Sequence, residues 1–135
     1  MRKLVRNMLG AAALAACFGT LAVAATADVP GVDDIMSEAH NKKKGVEPKI
    51  KVAVSDGKWD DAAKPAERLK ELGEALGKNK NEKGSAESWK KLTEQYKKTT
   101  ADIADAVKKK DKKAAEAALG KLGRSCDSCH EVHRD

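Results

Sequence analysis

The sequence predicts an all-α fold, an antiparallel four-helix bundle, and three observations carry that prediction. Apolar residues recur at helical spacing through residues 28–135, and no strand-like alternation competes with them. Charged residues make up 36% of the 135 residues and aromatics only 3%, which excludes an aromatic-rich β-sandwich and leaves Ala and Leu as core material. With 3 Pro, 10 Gly and 3 Cys, the chain is neither loop-rich nor a disulfide scaffold.

Residues 1–27 read as a secretory signal peptide. Arg2, Lys3 and Arg6 precede an Ala/Leu-rich run from Met8 to Ala25, and Ala25-Thr26-Ala27 gives a small-x-small cleavage pattern. Cleavage after Ala27 leaves residues 28–135 as one domain with no membrane span. An uncleaved anchor is one alternative, since the apolar run is about as long as the shortest spanning helices. Lipidation is the other, because Leu14-Ala15-Ala16-Cys17 resembles a lipobox. Without the three basic residues of the leader, 24 basic and 21 acidic residues remain, a net charge of +3. The lysines are then interleaved with acids, and a solvated helix surface accounts for them better than nucleic-acid binding does.

The first helix is expected from about Gly31 to Lys44. Asp33 and Asp34 favour its start, Lys42 to Lys44 favour its end, and Gly45 stops it. Val32, Ile35, Met36, Ala39 and His40 share one face. A second stretch between Glu47 and Gly77 breaks near Gly57 and restarts at Asp60 or Asp61, with Pro65 near enough to the restart for a first turn and Leu69, Leu72 and Leu76 inward. Lys78 to Gly84 is a polar loop. Ser85 caps the third helix, where Trp89, Leu92, Tyr96, Ile103 and Val107 recur at helical spacing. Asp111 caps the fourth, which presents Ala115, Ala118, Leu119 and Leu122. Trp89 and Tyr96 read as core packing, and Trp59 as a cover for the bundle end. An interior of mostly Ala and Leu is marginal at this size, so a large apolar cofactor would make up the deficit.

The chemistry lies in Cys126-Asp127-Ser128-Cys129-His130, the C-x-x-C-H pattern of c-type haem attachment. Two thiols one helical turn apart reach the two vinyl groups on one porphyrin edge, and His130 is then placed to bind the iron proximally. A Cys126–Cys129 disulfide would close too small a loop to constrain anything. A thioredoxin-like pair needs a strand-helix context that is missing, and zinc on Cys126, Cys129 and His133 lacks a fourth ligand. No nucleophile-base pair or Gly-rich phosphate loop is readable, so no enzymatic activity is expected.

A C-x-x-C-H on the last helix of a four-helix bundle, followed by a basic residue, resembles the class II c-type cytochromes. The matching residues are Cys126, Cys129, His130 and Arg134, and His133 stands where the family usually has an aromatic. The resemblance implies one covalent haem c with its iron, export to the periplasm, and either electron transfer or small-gas binding. It also implies dimers through the first two helices, for which the first helix here is short. Arg134 reads equally as a haem-propionate contact and as a solvated charge.

The distal side of the iron separates the two functions. In an antiparallel bundle the end of the last helix lies beside the first, so a distal ligand should come from the Val32–His40 face. Met36 and His40 are the candidates, one turn apart, and His40 has the higher intrinsic affinity for haem iron. Alternatively, Met36 is core filler and His40 an edge histidine. Ligation from this face gives a six-coordinate electron carrier, whereas an open face gives a five-coordinate centre for nitric oxide or carbon monoxide. The redox partner is not readable from the sequence.

Overall fold

The structure, a computed structural model, describes residues 28–81 and 83–134. The leader reading of residues 1–27, Cys17 included, lies outside them. Every regular element among the described residues is helical: α1 (Val32–His40), α2 (Val46–Ser55), α3 (Trp59–Leu76), α4 (Ala86–Lys108) and α5 (Lys112–His133).

Five helices stand where four were expected because the second stretch forms as two, α2 and α3, and the first helix is also shorter than expected. α1 ends at His40, and Lys42 to Lys44 form a turn instead of its last residues. Asn41 causes this: its side-chain oxygen accepts from the Lys43 and Lys44 backbone N–H groups, both at 3.0 Å, in competition with the helical ladder. Gly45 then begins α2, donating its N–H to the Asn41 carbonyl at 2.8 Å. A Cβ at Gly45 would lie 2.6 Å from that carbonyl oxygen and 2.8 Å from the Ala39 carbonyl oxygen, so only glycine fits so close a reversal. The expected break near Gly57 is present, with φ of 70°. Pro65 differs from expectation, lying inside α3 and not in its first turn. Its missing N–H leaves the Asp61 carbonyl without its ladder partner, which is tolerable because Asp61 is exposed. Both predicted caps form: Ser85 Oγ accepts from Ser88 N–H at 3.1 Å, and Asp111 Oδ1 from Ala114 N–H at 2.9 Å.

α3, α4 and α5 pack successively along one another through short connections, and α2 lies on α3 and α5. The buried interior is aliphatic: Ile35, Ile50, Leu69, Leu72, Ile103 and Leu122 are sealed from solvent. Trp89 and Tyr96 sit at its edge. Trp59, at the start of α3, packs partly buried against it. α1 packs on α2 and α3 and not closely along α5, contrary to the simple bundle expectation. Its register on α3 is fixed outside the core by Arg68, whose guanidinium holds Glu38 at 2.6 and 2.9 Å.

One end is closed by the connection between α3 and α4. The His133 Nδ1–H donates to the Lys83 carbonyl at 2.6 Å, and its Nε2 accepts from Ser88 Oγ at 3.0 Å. The ring also meets Trp89 edge-on, with centroids 5.4 Å apart. Trp89 in turn donates its indole N–H to the Asn79 carbonyl at 2.8 Å, and the Asn79 amide reaches the Pro30 carbonyl at 3.1 Å. Thus the start of α1, the loop and the end of α5 are tied at one corner.

Two predictions follow from this packing. A Cβ at Gly73 would collide with the side chain of the sealed Thr100 on α4. Gly73→Ala should therefore lower stability by about 1 kcal/mol, because overpacking of 1–3 kcal/mol outweighs the helix-propensity gain of about 1. In a denaturant-melt cycle, the same substitution should cost less in a Thr100→Ala background; equal costs in both would contradict the collision. Removing the His133 ring should free the loop. His133→Ala is expected to speed tryptic cleavage at Lys78, Lys80 or Lys83 by roughly tenfold, the effect of losing two hydrogen bonds, and an unchanged cleavage rate would refute the clasp.

Candidate haem site

The last turns of α5 carry Cys126, Cys129 and His130. Both sulfurs are free thiols, partly buried. The Cys126 S–H donates to the Leu122 carbonyl at 3.5 Å, an ordinary helical back-bond for a thiol. Burial pushes both thiols up from their ordinary range, and at Cys126 the negative charges of Glu47 and Asp127 add to the effect. Both therefore remain S–H at neutral pH. His130, exposed, and Arg134, in the C-cap just beyond α5, line the same space. No carboxylate pairs with Arg134 among the described residues.

α1 supplies the facing wall. Met36 and His40 both line the cavity, Met36 partly buried against the core. His40 is held at both ring nitrogens. Nδ1 lies 2.5 Å from Glu47 Oε2, and Nε2 lies 2.9 Å from the Tyr96 hydroxyl. Glu47 is a buried carboxylate in the first turn of α2, and its other oxygen meets Lys51 Nζ at 2.6 Å. Hydrogen bonding from His40, opposed by burial and aided by Lys51, holds the Glu47 carboxyl down at about 2. An ionised carboxylate only accepts, so Nδ1 carries the proton, and in the neutral ring Nε2 takes the Tyr96 O–H. Burial raises the Tyr96 phenol, which therefore stays a donor.

Between these walls lies a cavity of about 540 Å³, with Trp89, Leu92 and Tyr96 of α4 along its side. That volume falls within the roughly 300–1,000 Å³ of small-molecule and cofactor sites. Its lining combines apolar surface, two thiols one turn apart, an imidazole beside them and facing Met and His side chains. This donor set fits a haem of the c type. It does not fit zinc: among the described residues no three His, Cys, Asp or Glu side chains converge to hold a metal ion, and His133 is engaged with the loop.

The candidates named from sequence thus meet at one cavity: Cys126, Cys129, His130 and Arg134 on one wall, Met36 and His40 on the other. Glu47 was missed. It stands seven residues beyond His40 across a helix break, where no periodicity relates them. Tyr96 is buried as core packing predicts, and its hydroxyl has a polar task besides.

No helix among the described residues is long and apolar enough to cross a membrane. No curated protein and no solved structure gives a significant match to the chain. Residues 84–134, which hold α4, α5 and the whole C-x-x-C-H segment, match the family model described as Cytochrome C', so the resemblance to the class II c-type cytochromes, with the haem c and iron that family implies, holds over that span.

Proposed function

We propose that this chain is an exported, periplasmic electron carrier, not an enzyme, built as an antiparallel four-helix bundle around one covalently held haem. The observation that carries the reading is the single cavity where the α5 thiols and His130 face Met36 and His40 of α1. The Cys126 and Cys129 thiols would hold the haem by adding S–H across its two vinyl groups, a step that consumes no oxidant. His130 would bind the iron proximally, and Arg134, which pairs with no carboxylate among the described residues, would meet a propionate. When bound, the haem supplies a one-electron ferric/ferrous couple. Leu92, Trp89 and Tyr96 keep water from the buried side, which shifts the potential and limits the solvent reorganisation that accompanies electron transfer. The family match over residues 84–134 supports the c-type assignment.

A gas-binding centre is the second reading, and one observation favours it. His40 Nε2 is engaged by Tyr96, and Met36 is packed against the core. If both stayed so, the distal face would be open.

Absorption and mass spectra of the secreted protein test these readings together. The expected result is one haem per chain that survives denaturation, with a six-coordinate low-spin ferric spectrum. Cys126→Ala with Cys129→Ala should yield a chain of bare polypeptide mass. Replacing Met36 and His40 together should convert the ferric form to high-spin. A high-spin wild type whose reduced form binds carbon monoxide within seconds would replace the carrier by the gas-binding reading.

A further inference from the structure

We propose that His40 is the distal ligand of the electron-carrier reading above, and that Glu47 is its positioning residue, with Tyr96 holding the ligating nitrogen until iron takes it. The inference rests on that reading and goes beyond it by choosing between His40 and Met36 and by assigning two residues that no ligand pattern marks.

Geometry is the first support. A ligating histidine is ordinarily oriented by a carboxylate or carbonyl on its other ring nitrogen, which fixes the tautomer and raises the ring's basicity. His40 has that arrangement in place: Glu47 accepts from Nδ1 at 2.5 Å. In the neutral ring Nε2 is then the nitrogen without a hydrogen, and the Tyr96 O–H at 2.9 Å marks where its lone pair would point. Both rings line the cavity that also holds the α5 thiols.

The cost of burying Glu47 is the second support. Its residue is 8% exposed, and a buried carboxylate is retained at a penalty unless its partners compensate. Lys51 alone would satisfy one oxygen from the surface side. The other oxygen is committed to His40, so a charge is kept inside at the one place where it acts on that imidazole. Met36 has no comparable support: its thioether lines the cavity and packs against the core without a polar neighbour fixing it.

Tyr96 completes the set. A bond from Nε2 to iron would replace one hydrogen bond there, and the freed Tyr96 hydroxyl would stay on the cavity lining. Removing the hydroxyl therefore takes away a competitor and not a support.

The test uses the haem-loaded, secreted protein and reads the ferric spectrum, the electron paramagnetic resonance signal and the reduction potential, none of which is an activity. Met36→Leu, which conserves volume, should leave the low-spin signal unchanged, whereas His40→Ala should give high-spin iron. Glu47→Gln should stay low-spin but lose the charge behind the imidazole. About tenfold weaker ferric ligation relative to ferrous is expected, a rise in potential of about 59 mV. Tyr96→Phe should keep or sharpen the low-spin signal. A high-spin wild type overturns the carrier reading and this inference with it. A low-spin wild type that Met36→Leu turns high-spin overturns the His40 assignment alone. A Glu47→Gln protein that melts lower at an unchanged potential reduces Glu47 to a structural tie and overturns its positioning role. Should His40→Ala fail to fold, the Met36→Leu and Glu47→Gln arms still decide.

Discussion

The hydrogen bond between His40 and Glu47 joins residues seven apart in sequence, and it exists only because the chain reverses within Asn41–Gly45. Asn41 stops the first helix by capping two amide groups, and Gly45 lets the next helix start against it. The reversal lays α1 over α2 and α3, so its apolar face looks across toward α5 instead of packing along it. A continuous helix would carry Glu47 two turns beyond His40 along the axis. With the break, one short arm presents an imidazole to the interior and the next supplies the charge that fixes it.

The second organising constraint is a shortage of large side chains. The sealed positions hold Ile, Leu, Val, Ala and Thr. Two of the three Trp and Tyr side chains among the described residues stand instead at the cavity. Trp89 and Tyr96 line the cavity, and His133 stands on Trp89 to shut its lower corner. Each ring also spends its polar atom on a specific partner, as buried Trp and Tyr usually must. The cavity is left with walls that already carry thiols, imidazoles and a thioether.

Much of this was legible in the chain itself. The caps at Ser85 and Asp111 follow from local hydrogen-bond chemistry, and both form. The Cys126–His130 segment owes its meaning to spacing along one helix, which folding elsewhere does not alter. Sequence reading did less well where a local signal had two outcomes. Lys42 to Lys44 suit a helix end by charge, but the Asn41 side chain ended the helix first. Pro65 suits a first turn, but the helix had begun six residues earlier, at Trp59, and runs through the lost bond at the exposed Asp61. His133 was marked as standing where the resembled family has an aromatic, and its role in closing the loop depends on residues some 50 positions away.

Composition, periodicity and the C-x-x-C-H spacing by themselves determined an all-helical chain with one chemically distinctive end, because each depends on residues within a few turns of one another. Only the tertiary structure decided what faces that end. Which nitrogen of His40 bears a proton, which carboxylate holds it and which hydroxyl meets the other nitrogen depend on contacts made across 7 and 56 residues of chain. Such contacts leave no periodic trace, since they are set by where one turn reverses and how three helices then settle against each other.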